Sequence, residues 1–245
     1  MARGLPDDAN VKGYGDIHRS DDITELAARL GSPMTYKRQG NVLYTDAFDR
    51  GVGGWVITRD TVAEDATLSG SYNIVGGVGL VLANATGDQE IVKAERIMPM
   101  FSPEIYAVFI TVSLSTDAWA FQITARHYDG ARKWDYTLDA SASGETMTYG
   151  STEGETVSLI DQLGFFSGED NFHVIGLFFD TEKNEYVQVT MDGAVYDLGG
   201  VIPNSGVSFT APQLDLWIQV ESTTEVDAVA IIDSVVLVQN PTAVN

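Results

Sequence analysis

From Asn41 to its end the chain is a succession of short runs rich in Val, Ile, Thr, Phe and Tyr, and this pattern limits the fold more than any other feature. The runs fall at 42–48, 54–58, 78–83, 90–97, 105–113, 118–128, 133–138 and 156–160, then at 172–179, 186–191, 194–198, 214–220 and 228–238. Turn-forming residues separate them: Gly76-Gly77, Asp129-Gly130, Asp192-Gly193, Gly199-Gly200 and Pro203-Asn204. Asp-Gly between two apolar runs is the strongest short-range hairpin signal a sequence offers. Trp119, Phe121, Ile123 and Ala125 alternate with Gln122, Thr124 and Arg126, the period of a strand with one buried face. About thirteen such strands predict an all-β fold, a two-sheet antiparallel jelly-roll sandwich. The chain has 245 residues, and sandwiches of this length commonly form one domain.

Only the N-terminal stretch departs from this pattern, so the expected division is an arm over 1–40 and a sandwich over 41–245. In the arm, Asp22 and Glu25 have the spacing of a capping box. Ile23, Leu26, Ala27 and Leu30 then form one apolar stripe at helical spacing, and Gly31 and Pro33 end it. The prediction is one short helix over 22–30. A helix of this length is marginal alone in water, so it must dock, either on its own sandwich or on a neighbouring subunit. The expected partner-binding residues of the arm are Ile23, Leu26 and Leu30.

Charge narrows the partners. The net charge is −21, from 14 Lys and Arg against 35 Asp and Glu. Such a balance disfavours nucleic acid and anionic membranes, both of which are held through Lys and Arg. Six basic and six acidic residues make segment 1–40 neutral, whereas residues 134–245 hold Lys183 as their one basic residue. A neutral arm approaches a protein partner without the repulsion of the acidic part. Met1 to Asp8 contain no apolar stretch of a secretion signal, which predicts assembly in a host cytoplasm. No run of apolar residues is long enough to span a bilayer. Cysteine is absent, so disulfides and thiolate metal sites are excluded.

Two segments resemble concanavalin A-like, laminin G-like sandwiches. Asp46-Ala47-Phe48-Asp49 followed by Gly53-Gly54-Trp55 is similar to the first strand and tryptophan of that superfamily. The run from Phe172 to Asp180, leading into Tyr186 to Met191 and Asp192-Gly193, resembles its paired strands and Asp-Gly turn. Ala230 to Leu237 resembles its closing strand, and also that of galactose-binding jelly rolls, the competing fold. The resemblance implies a sandwich over roughly 42–239 and leaves function open, since the fold carries lectins, glycosidases, adhesion modules and viral structural proteins. The stretch from His18 to Ser32 is similar to arms on tailed-phage structural proteins.

Chemistry-bearing motifs are few. A glycosidase of this fold needs two carboxylates around the scissile bond. The nearest text, Glu225-Val226-Asp227-Ala228-Val229-Ala230, lacks the family's final glutamate. His18, His127 and His173 are dispersed, without zinc-ligand spacing. Neither a Gly-x-Ser-x-Gly elbow nor a phosphate loop is present. Calcium is the one ion suggested, through Asp46, Asp49 and Asp233, should the first and last strands pair. Tyr128, Trp134 and Tyr136 are candidates for stacking on a pyranose ring, with core packing as their alternative role. The expectation is therefore a non-enzymatic structural or decorating protein of a phage-like particle, resident in the virion, oligomeric and anchored by its arm. The alternative is a carbohydrate-binding, lectin-like module.

Overall fold

The computed structural model describes residues 40–48, 51–59, 65–70, 78–84, 91–99, 102–115, 120–141, 146–152, 156–161, 171–221 and 228–241. The predicted arm helix, with Ile23, Leu26 and Leu30, lies outside them, as do Trp119, Glu225 and Asp227. The described residues form sixteen strands: β1 (Asn41–Asp46), β2 (Val56–Arg59), β3 (Asp65–Ser69), β4 (Gly79–Asn84), β5 (Ile91–Pro99), β6 (Ile105–Leu114), β7 (Ala120–Tyr128) and β8 (Arg132–Ser141). They continue as β9 (Thr146–Gly150), β10 (Thr156–Asp161), β11 (His173–Asp180), β12 (Glu185–Met191), β13 (Ala194–Asp197), β14 (Asn204–Val207), β15 (Gln213–Glu221) and β16 (Ala228–Gln239). Three of these, β3, β9 and β14, were not legible as apolar runs. They are short and mostly polar, and partners hold them: β3 on β4, β9 on β8 and β10, β14 on β8. The expected break at Pro203-Asn204 is instead the entry to β14.

All strands belong to two eight-stranded antiparallel sheets. Sheet I runs β13-β12-β11-β6-β16-β4-β3, with β1 also on β16. Sheet II runs β10-β9-β8-β7-β15-β5-β2, with β14 also on β8. The Asp192-Gly193 signal is a two-residue hairpin between β12 and β13, and both residues have positive φ, as its turn type requires. The Asp192 carboxylate caps the turn by accepting from the Val174 amide and contacting His173 Nδ1 at 2.6 Å.

Alternate residues of each strand fill the space between the sheets. Tyr106, Val108, Ile110 and Val112 of β6 meet Ile123, Ala125, Leu216 and Ile218 of β7 and β15 in one core. Two tyrosines tie the layers together. Tyr186 of sheet I receives the Thr137 amide at 2.7 Å and donates to the Gly150 carbonyl at 2.9 Å, both in sheet II. In the reverse direction, Tyr136 of sheet II donates to the Asp180 carbonyl at 3.1 Å. Such bonds let large rings lie in the core without leaving a buried hydroxyl unpaired.

Between β1 and β2 the chain crosses from one sheet to the other, and the predicted Asp46…Trp55 segment makes this corner. The Asp46 carboxylate accepts from Tyr44 Oη at 2.6 Å, Trp55 Nε1 at 3.0 Å and the Phe48 amide at 2.8 Å. Arg96 lies over the Tyr44 ring and donates to the Gly53 carbonyl. Gly54, at φ 97°, leaves room for it, because a Cβ there would stand 1.8 Å from the guanidinium.

Candidate functional site

β15 shows how the sequence builds a site on the outer face of sheet II. Leu214, Leu216, Ile218 and Val220 point into the core, so Gln213, Asp215, Trp217, Gln219 and Glu221 share the opposite face. Trp217 is thus a large aromatic placed in the polar phase of a central strand. Glu95 of β5 and Thr124 of β7 stand directly beside it. Two cations lie diagonally from it along the strand: the Arg126 guanidinium is 4.3 Å and Lys93 Nζ 5.2 Å from the ring centroid. Contacts of this kind orient the ring while leaving it half-buried.

Around the indole the face is a lattice of carboxylates and amides. Gln122 donates to Asp139 at 2.6 Å and Gln213 to Asp215 at 2.7 Å. Arg126 grips Asp135 with two nitrogens, the outer at 2.9 Å, and Lys133 adds a contact at 3.5 Å. Thr124 and Thr137 exchange a hydroxyl bond at 3.2 Å. Burial pushes the Asp139 carboxyl above its ordinary range, against the lowering effect of the Gln122 bond. Asp215 is raised in the same way, and Glu221 is raised by burial and then by the charge of Asp139. An apolar ring set among fixed donors and acceptors suits a ligand that has a C–H face and many hydroxyls.

The aromatics singled out from the sequence occupy other positions. Trp134 and Tyr136 lie in the core phase of β8 with Leu138 and Ala140, at 9 % and 0 % exposure. Tyr136 stacks on Phe179 at 4.6 Å and Trp134 on His127 at 5.2 Å, so neither offers a free ring to a sugar. Their packing role is the one the structure assigns. Tyr128 shares the Trp217 face, beside Gln213 and Lys133, but is nearly buried. Trp217 was missed although its signal was present: it interrupts the polar half of the alternation Leu-Asp-Leu-Trp-Ile-Gln-Val.

For calcium, β1 and β16 do pair, with Asp46 opposite Val235, two residues from Asp233. Both Asp46 oxygens are already hydrogen-bonded, and Asp49 lies outside the described residues. Among the described residues no group of three or more His, Asp or Glu stands where it could hold a metal ion.

No protein-family model matches the chain, and no curated protein aligns with it. Solved structures do share its fold. A carbohydrate esterase from the Shiga toxin-encoding bacteriophage phi24B superposes with a TM-score of 0.53 at 13% identity, over 82% of this chain and 99% of that one. Peanut lectin superposes at 0.48 and 10% identity, over 82% and 98%. A Bacteroides ovatus GH16 protein of a mixed-linkage glucan system superposes at 0.48 and 9% identity, over 80% and 99%. The described residues share the fold of the phage esterase, and they form the two-sheet antiparallel β-sandwich that the sequence resemblance implied.

Proposed function

We propose that this chain is a lectin-like module that binds neutral glycans on the outer face of sheet II and does not turn them over. The observation that carries this reading is Trp217, an aromatic ring in the centre of a mostly polar sheet face that also carries Tyr128 and the exposed Ile97 and Val56. A pyranose stacked on the indole places its hydroxyls among Gln122, Asp139, Asp215 and Gln219. Glu95, Asp135, Asp139, Asp215 and Glu221 outnumber Lys93, Arg126 and Lys133 on this face, which together with the net charge of −21 disfavours anionic sugars. Binding without turnover fits the engagement of Asp135, Asp139 and Asp215 in bonds to neighbouring side chains. A glycan array that includes bacterial surface polysaccharides tests the reading. Binding to neutral glycans is expected, with a loss of about five- to 150-fold in Trp217→Ala, taking for a sugar ring the roughly 1–3 kcal/mol that a nucleobase gains by stacking on an aromatic side chain. Release of reducing ends from an array hit, abolished by Asp139→Asn or Glu221→Gln, would replace binding by hydrolysis.

A second reading, a structural subunit of a phage-like particle, rests on the charge distribution. A neutral N-terminal stretch joined to a sandwich whose second half is almost devoid of Lys and Arg suits subunits packed at high density. Mass spectrometry of purified virions tests it, with stoichiometric presence expected. The two readings are compatible, since a particle subunit can carry a glycan site.

A further inference from the structure

The two flanks of Trp217 differ in chemistry. Toward β7 and β8 its neighbours are Thr124, Thr137, Gln122 and Asp139, which offer hydroxyls, an amide and a carboxylate. Toward β5 and β2 stand Ile97 and Val56, 56 % and 57 % exposed. Val92, Ala94 and Met98 of β5 fill the core, so Lys93, Glu95 and Ile97 share the outer face with Trp217. In β2, Ile57 packs on the core and Val56 therefore faces outward. The register sets Glu95 opposite both Trp217 and Val56, and Ile97 opposite Asp215. Ile97 is thus the diagonal neighbour of Trp217 on one side and of Val56 on the other, at the roughly 7–8 Å of such pairs. The acids around this gap are drawn away from it. Glu95 lies 2.9 Å from Lys93 Nζ, on the side away from Ile97, and Asp215 accepts from Gln213 at 2.7 Å, on the side away from Trp217.

We infer that Ile97 and Val56 select, among neutral glycans, those whose sugar carries a methyl group beside the stacked ring, as a 6-deoxy carbon or the end of an acetyl group. The inference rests on the reading of Trp217 as a sugar seat. A pyranose on the indole turns its hydroxyls toward Thr124, Gln122 and Asp139, while an exocyclic substituent on its other edge extends over Ile97. A hydroxymethyl group there gives up water where the nearest acids are held by Lys93 and Gln213. A methyl group gives up nothing polar and covers apolar surface on both partners. An ionised substituent meets the negative charges of Glu95 and Asp215.

Matched glycans test the inference on the full chain. An array carries 6-deoxyhexosides beside their parent hexosides, and O-acetylated polysaccharides beside the same material after mild alkali. The methyl-bearing member should bind about fourfold tighter in one or both kinds of pair, the worth of one buried methyl group, and the kind that shows it identifies the source. Ile97→Thr with Val56→Thr keeps the β-branched shape at two exposed positions. This variant should lose the preference and bind the unsubstituted member as before, whereas Trp217→Ala should weaken both members. Equal binding across all pairs, or a preference that survives the double substitution, would overturn the inference and leave the Trp217 seat standing. A dimer in sedimentation that the double substitution dissociates would give the patch to a second copy and overturn it too. Absence of binding to any glycan would overturn both readings.

Discussion

Trp217 and Tyr186 are both half-apolar, half-polar aromatics, and strand phase gives them opposite tasks. Tyr186 faces inward, and its hydroxyl serves the backbone of Thr137 and Gly150 across the core. Tyr186→Phe leaves a buried amide and carbonyl unpaired at a cost of about 2 kcal/mol. In a domain of this size that should lower Tm by roughly 4–8 °C, measured by calorimetry, with glycan binding retained at temperatures below the transition. Gly176 makes a similar point on the outer face of sheet I. A Cβ there would stand 2.4 Å from Thr190 Oγ1 and 2.9 Å from Phe109 Cε1. Gly176→Ala should therefore destabilise by about 1–3 kcal/mol through overpacking, read from the shift in its urea midpoint.

At the level of elements, local signals were legible in the sequence and long-range ones were not. The Asp46…Trp55 segment was marked by resemblance and its crossing between sheets was not legible, whereas the Asp192-Gly193 hairpin and most strands could be placed because turn chemistry and alternation are local properties. The sheet order could not, because β16 between β6 and β4, or β15 between β7 and β5, leaves no mark near either strand. Of the two roles open to Trp134 and Tyr136, core packing is the one their positions fit. Alternation puts both on one face of a strand, and the choice of face follows from β8 as a whole, where they share the phase of Leu138 and Ala140. The central place of β16 also carries a prediction. Val235→Asp sets an unpaired charge in the core of sheet I and should abolish folding, seen as loss of the near-ultraviolet circular dichroism signal.

For the whole molecule, a net charge of −21 and the buried or half-buried acids of sheet II act in the same direction. Asp139, Asp215 and Glu221 have folded-state pKa values raised above their ordinary ones, so the native state binds their protons more tightly than the unfolded chain does. Their charged forms cost stability above the raised values, and that cost is relieved as pH falls toward the ordinary carboxylate range. Asp192 and Asp129 oppose this at lower pH. Asp192 is held low by His173 and the Val174 amide against its own burial, and Asp129 by the Ala131 and Arg132 amides. Their contribution is lost once pH drops through those depressed values. Tm should thus rise as pH falls toward the ordinary carboxylate range, less the cost of charging His127, whose pKa burial lowers, and fall again in stronger acid; Asp139→Asn should flatten the rising limb.

The central claim, a glycan seat on Trp217, is most directly tested by the indole N–H signals of a ¹⁵N-labelled sample. The chain has four tryptophans, of which Trp55 and Trp134 are buried in the core. Titration with the tightest neutral glycan from the array should shift the Trp217 signal, assigned by Trp217→Phe, and leave those of Trp55 and Trp134 in place. Saturable binding that leaves the Trp217 signal unmoved would put the site elsewhere and contradict the account.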